Sequence, residues 1–169
     1  KRLINFCHKE GAKIIATDTN AKIFEEYQYN SLNFANISFV EPDEIYEVEC
    51  DIFSPCSVGG ILNSDTIPKL KCAGVAGGAN NQLETREHIK YFKDKNIYYV
   101  PDYLASCGGV IIVEKERDNT LTDLSYESPI VKNRLDSIYN TVFKVLYQSV
   151  KTNQTTLKIC DDLAEERFL

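Results

Sequence analysis

The sequence predicts an α/β fold, a doubly wound and mostly parallel sheet followed by a helical C-terminal extension. Three observations carry that expectation. Short runs of β-branched and aromatic residues alternate with polar helical stretches, the order expected of βαβ units. Those runs stop at Asp, Asn, Gly or Pro, residues that turn a chain. From Val131 onward apolar residues recur at helical spacing instead. With 169 residues, 43% hydrophobic and 26% charged, the composition is that of one globular domain.

Taken in order, residues 1–10 read as the second half of an amphipathic helix, with Leu3, Ile4, Phe6 and Cys7 on one side and Gly11 as its C-cap. A chain that opens inside a helix is expected to be a piece of something longer. Residues 13–17 form the first strand, Asp18-Thr19-Asn20 a turn, and 21–29 a short helix. Residues 36–40 are a second strand, broken by Glu41-Pro42-Asp43 ahead of a short acidic helix through Val48. A brief strand at 51–54 stops at Pro55, with Gly59-Gly60 just beyond, and 64–70 make one or two helical turns. Residues 72–76 are a buried strand ending in Gly77-Gly78-Ala79-Asn80-Asn81. A polar helix at 84–95 and a strand at 96–100 follow, the latter stopping at Pro101-Asp102. Residues 103–116 contain Gly108-Gly109 and then a strongly apolar stretch. Val131, Leu135, Ile138, Val142, Val145 and Ser149 mark one long amphipathic helix, and 157–168 a last one.

Composition excludes several classes of function. A net charge of −6 without clustered Lys or Arg argues against nucleic acid. The run Val110-Ile111-Ile112-Val113 is far too short to span a bilayer, and no signal-peptide pattern opens the sequence, so no membrane partner and a cytoplasmic location are expected. The six cysteines show no Cys-x-x-Cys pair, and free buried thiols in a reducing cytosol are expected, with no metal site.

In open parallel sheets ligands bind beyond the carboxyl ends of the strands. Four places meet that description: Asp18, the 55–60 loop, the 77–81 loop and the 101–109 segment. A carboxylate at Asp18 can accept both hydroxyls of an adenosine ribose and repel a 2′-phosphate; it can equally cap the following helix. Asn80 beside glycines can donate to and accept from a ligand, or simply make an Asx turn. Gly59-Gly60 and Gly108-Gly109 are ambiguous in the same way. His88 falls in a polar stretch and reads as part of a solvated face. Cys56 and Cys107 have no neighbouring base and read as structural thiols, and Tyr98-Tyr99 as packing residues.

Taken together these loops resemble the cofactor domain of leucine, phenylalanine and related amino-acid dehydrogenases, nearest to the leucine branch. The resemblance runs through residues 11–20 (Gly-Ala-Lys-Ile-Ile-Ala-Thr-Asp-Thr-Asn), 51–60 (Asp-Ile-Phe-Ser-Pro-Cys-Ser-Val-Gly-Gly), 66–70, 76–83 (Ala-Gly-Gly-Ala-Asn-Asn-Gln-Leu), and 101–103 with 108–111. Ile138-Tyr139 and Ala164-Glu165-Glu166-Arg167 extend it to the end of the chain. It implies a Rossmann-like, NAD-binding domain over residues 1–125, lacking its first strand, with C-terminal helices over 126–169. It also implies reversible oxidative deamination of a branched-chain or apolar L-amino acid to a 2-oxo acid and ammonia, by a homo-oligomeric parent.

Residue by residue, the resemblance implies that Asp18, with Thr19 beside it, binds the adenosine ribose. The Cys56 and Ser57 backbone would line the adenine side, and Asn80 would touch the nicotinamide ribose and help place the substrate. Ser106 stands where relatives usually carry an Asn against the nicotinamide carboxamide, and Gly78 replaces a common Ser. Val110 and Val113 match positions lining the substrate side-chain pocket, where an apolar residue favours an aliphatic substrate. The Gly-x-Gly-x-x-Gly loop and the substrate domain with its catalytic Lys and Asp are expected upstream of residue 1. No catalytic residue is therefore expected in this chain, which alone should be inactive. The alternative is a non-catalytic nucleotide-binding or scaffolding remnant of the same family.

Overall fold

The computed structural model describes residues 2–20, 22, 23, 25, 36–117 and 128–167. Two compact units emerge, residues 1–48 and 49–169. The helix expected over 21–29 lies outside the described residues apart from Lys22, Ile23 and Glu25, which are helical. The domain boundary expected at 125/126 and Phe168 also lie outside them.

In the first unit, helix α1 (Arg2–Lys9) packs on strand β1 (Ile14–Ala16). Gly11 ends the helix at φ +83°, and the Ala12 N–H reaches back to the Cys7 carbonyl at 3.0 Å. That six-residue closure needs the left-handed backbone that glycine adopts without a Cβ penalty. Leu3 and Phe6, read as part of one apolar side, are exposed within this unit, whereas Ile4 and Cys7 are half-buried. Strand β2 (Ile37–Phe39) runs parallel to β1, pairing Ile14 with Ile37 and Ala16 with Phe39. The acidic segment after it makes only a 3-10 turn (Ile45–Glu47).

The second unit is built on β3 (Glu49–Phe53), β4 (Lys71–Val75) and β5 (Tyr98–Tyr99), all parallel, in that order. The expected α/β class with a parallel sheet holds, each strand shifting by a residue or two from its sequence bounds. Leu62, Ile67, Leu70, Val75, Phe92 and Tyr99 are buried around this sheet, and the Phe92 and Tyr99 rings stack with centroids 5.0 Å apart. The polar helix begins later than its sequence suggests, as a 3-10 turn (Arg86–His88) leading into α2 (Ile89–Asp94). His88 is not a solvated residue. Its Nδ1 accepts the Thr85 N–H at 3.3 Å, its ring stacks on Tyr91, and its side chain is 14% exposed. It closes a capping box in which imidazole takes the place usually filled by Glu or Gln. Tyr99 packs as expected, but Tyr98 points outward.

Helices α3 (Asp102–Ala105) and α4 (Gly108–Arg117) follow β5. The long helix α5 (Pro129–Thr152) starts with Pro at its first position and ends at Asn153 in left-handed geometry. Thr155 then caps α6 (Thr156–Glu165), its hydroxyl accepting the Lys158 N–H at 3.3 Å. The periodicity read from the sequence is the packed face of α5. Val131 and Val145 are buried, and Leu135, Ile138, Val142 and Ser149 are half-buried. Val145, Ile159 and Cys160 form a small core with Leu104 and Leu163 against it, and burial pushes the Cys160 thiol up to about 11.

Val145→Ala should destabilise the chain by about 2 kcal/mol, from lost burial plus the cavity left behind. Phe143→Ala, on the exposed side of the same helix, should cost less than about 0.5 kcal/mol. Urea unfolding of the two variants measures the contrast.

Candidate cofactor site at the carboxyl edge of the sheet

Register sets the site. Phe53 pairs with Val75 and Val75 with Tyr99, so three strands end level. The Ala76 N–H donates to the Phe53 carbonyl at 3.1 Å and the Val100 N–H to the Val75 carbonyl at 2.9 Å, which carries the alignment one residue further. The 55–60, 77–81 and 101–106 segments therefore open from the same edge.

The backbone there is tightly packed. A Cβ on Gly77 would fall 2.2 Å from the Pro55 carbonyl oxygen and 2.5 Å from its nitrogen. The Ala79 N–H donates to that Pro55 carbonyl at 2.9 Å. Gly59 lies against the carbonyls of Asn80 and Asn81, and the Gly60 N–H donates to the Asn81 carbonyl at 2.8 Å. Gln82 is fully buried, with Nε2 donating to the Gly77 carbonyl at 2.8 Å and the Ala79 carbonyl at 2.9 Å. Gly78 is different: a Cβ there would meet nothing within 4 Å. Its backbone borders open space, a place where a ligand can approach closely.

Asn80 and Asn81 divide the two roles that the sequence left open. Asn81 is the turn former, at φ +52°, and its N–H donates to Asp102 Oδ2 at 2.6 Å. Asn80 is exposed, its Oδ1 3.4 Å from Ser106 Oγ. Ser106 Oγ also donates to the Asp102 carbonyl at 2.7 Å, which anchors the hydroxyl on the last turn of α3. Asp102 Oδ1 lies 3.4 Å from the Tyr99 hydroxyl that donates to it. Burial, with the Asp102 carboxylate adding to it, pushes that phenol above its ordinary range and keeps it protonated as a donor.

Cys56 and Ser57 are exposed on the neighbouring loop, with Cys56 Sγ 3.7 Å from Ser54 Oγ. Of the six cysteines, expected to be buried, only Cys160 is, because the others sit on loops, a half-covered helix or the open face of a sheet. Cys107 donates to the Leu104 carbonyl at 3.1 Å, and burial raises its thiol, the opposite of an activated nucleophile. Val110 and Val113, 70% and 60% exposed, share one face of α4. Asp18 and Thr19 belong to the other unit, just past β1. Asp18 Oδ1 accepts the Asn20 N–H at 2.9 Å, and Asn20 Oδ1 in turn accepts the Lys22 N–H at 3.2 Å. The bond to the following helical segment is thus made by Asn20. The structure brings Asn80 and Ser106 together, with Cys56 and Ser57 on the same edge. Gln82 and Asp102 were not singled out from the sequence: Gln82 carries no local signal, while Asp102 was visible only as a strand stop.

The family described as Glutamate/Leucine/Phenylalanine/Valine dehydrogenase matches residues 5–164. The chain belongs to this dehydrogenase family. A leucine dehydrogenase of Thermoactinomyces intermedius is 40% identical over 166 residues, covering 98% of this chain and 43% of that protein. A phenylalanine dehydrogenase of Caldalkalibacillus thermarum is 38% identical, over 95% of the chain and 42% of that protein. The crystal structure of L-tryptophan dehydrogenase from Nostoc punctiforme superposes with a TM-score of 0.85 at 34% identity, over 98% of this chain and 47% of that one. The chain thus spans less than half the length of the relatives it matches.

For this dehydrogenase-family chain the close contact at Gly77 is a structural requirement. Gly77→Ala should cost about 1–3 kcal/mol through overpacking against fixed backbone, whereas Gly78→Ala should unfold with the wild type. Thermal denaturation of both variants decides the point.

Proposed function

We propose that this chain is the NAD-binding portion of an amino-acid dehydrogenase that deaminates a branched-chain or apolar L-amino acid to a 2-oxo acid and ammonia. The observation that carries the reading is the shared carboxyl edge: open backbone at Gly78 beside the exposed Asn80 carboxamide and Ser106 hydroxyl, on loops fixed from behind by Gln82 and Asp102. A small polar group on a rigid edge next to unobstructed backbone suits the ribose and amide groups of a dinucleotide.

In this reading Asp18, with Thr19, takes the adenosine ribose, and the Cys56-Ser57 backbone lines the adenine side. Asn80 and Ser106 orient the nicotinamide end. When bound, NAD supplies the hydride acceptor for the substrate's Cα–H. What the chain's own residues do is position and exclude. Asn80 can donate and accept at once, and Val110 and Val113 offer apolar surface that desolvates an aliphatic side chain. Neither Cys56 nor Cys107 acts as a nucleophile. Catalytic groups are assigned to the remainder of a longer parent, so residues 1–169 alone should turn over no substrate. The parent is read as a homo-oligomer. Tyr139, Phe143, Tyr147 and Val150 on one side of α5 are each more than half exposed, more clustered apolar surface than a solitary chain usually shows. Among the described residues no helix is long and apolar enough to cross a membrane.

The test is an assay of the full parent with NAD and L-leucine, L-valine or L-phenylalanine. Asp18→Ser should raise the KM for NAD about 10- to 100-fold, the range for losing a hydrogen bond to a charged group, and should relax discrimination against NADP. An unchanged KM would confine Asp18 to its turn with Asn20.

Val113→Ser should lower kcat/KM for L-leucine by about tenfold or more, as expected when a hydroxyl replaces apolar surface in a pocket. Equal losses across small and large amino acids would remove Val113 from the pocket.

A further inference from the structure

Cys50 in β3 and Cys72 in β4 are register partners in adjacent parallel strands, so both thiols stand on the same face of the sheet. Both are half-buried. Farther along that face, Ile52 and Tyr98 are 58% and 51% exposed, so the face is accessible in this unit. Burial raises both thiols, and Cys50 itself contributes to the shift at Cys72, as two neighbouring sulfurs should.

Strand geometry decides what such a pair can do. Neighbouring strands stand about 4.7–4.9 Å apart, inside the Cα separation of about 4.4–6.8 Å across which two cysteine side chains can be joined. A direct S–S bond forms only with the loss of two electrons to an oxidant. One soft atom bonded to both sulfurs needs no oxidant, and two bonds of about 2.3 Å each at a bent centre join sulfurs standing roughly 3–4 Å apart. We propose that Cys50 and Cys72 form a two-thiol site for a soft, thiophilic centre, trivalent arsenic.

The reaction balances without any redox step. With an organoarsenic(III) oxide, two S–H bonds and the arsenic–oxygen bond break and two As–S bonds form. The oxygen leaves with both protons as water. Among the described residues of this unit, the other cysteines have neighbours other than a thiol. Cys56 lies beside the Ser54 hydroxyl, Cys107 donates to the Leu104 carbonyl, and Cys160 is buried beside Val145 and Ile159. Cys50 also lies about 10 Å upstream of the carboxyl edge, three strand residues at about 3.3 Å each. The pair is therefore separate from the proposed cofactor site.

The experiment treats the 169-residue chain with phenylarsine oxide and follows intact mass. A single adduct should form that survives excess 2-mercaptoethanol and is released by 2,3-dimercaptopropanol. Proteolysis of that adduct should yield the peptides of Cys50 and Cys72 joined together. Cys50→Ala and Cys72→Ala should each reduce monothiol-resistant binding by more than about tenfold, because a one-point adduct loses its intramolecular second bond. Cys56→Ser should change nothing. A resistant adduct that persists in either alanine variant, one that maps to other cysteines in the wild type, or none at all would overturn the proposal. The peptide map of the wild type decides it even if a variant folds poorly.

Discussion

Gln82 holds the second unit's carboxyl edge in shape. Its side chain is fully buried, and both Nε2 hydrogens are spent on carbonyls of the loop that precedes it. Peptide carbonyls turned inward at a strand end have lost water and must find donors within the chain. Gln82 supplies two. With them satisfied, Gly77 can press on the Pro55 backbone at a distance no side chain would permit. Gly59 closes on the carbonyls of Asn80 and Asn81 from the next loop. Oε1 of Gln82 is buried with no hydrogen-bond partner among the described residues. A buried acceptor left unpaired costs about 1–3 kcal/mol. The loop geometry is retained despite that cost, because the alternative is two orphaned carbonyls instead of one.

How far the sequence could be read depended on where each residue finds its partner. Strands and the long C-terminal helix were legible because burial imposes a period on the chain itself. Val131, Leu135, Ile138, Val142 and Val145 repeat as α5 turns. Caps were legible where the partner is local and of the usual type, as at Gly11, and missed where it is not. The Thr85 box closes with His88, whose imidazole does what a Glu or Gln ordinarily does, so a histidine that looked solvated is largely covered. Asp102 could not be read as a loop anchor, since the N–H it accepts belongs to Asn81, 21 residues earlier, and only strand register brings the two together. Gln82 left no trace because its partners are backbone carbonyls. Asp18 carried two readings in the sequence. Its observed bond to Asn20 assigns the cap to Asn20 and leaves the ribose role to experiment. Val110 and Val113 were legible only through family resemblance. Nothing in their periodicity marks a pocket, and they are exposed on α4.

The edge separates into groups already spent and groups still open, and that division is what makes it suited to binding. Asn81, Gln82, Asp102 and the glycines at 59 and 77 are committed to one another. Asn80, Ser57 and the Gly78 backbone face outward. A ligand meeting this surface orders few side chains and disturbs none of the internal bonds, so little of its interaction energy is lost to reorganisation. Charge follows the same division. A free carboxylate at Asp102 would repel an anionic dinucleotide, but one oxygen accepts the Asn81 N–H and the other the Tyr99 phenol. Burial and the carboxylate itself move that phenol still further above the neutral range, where it is a donor in any case. The negative charge is directed inward to hold the loop, and the groups left facing solvent are neutral, able both to donate and to accept.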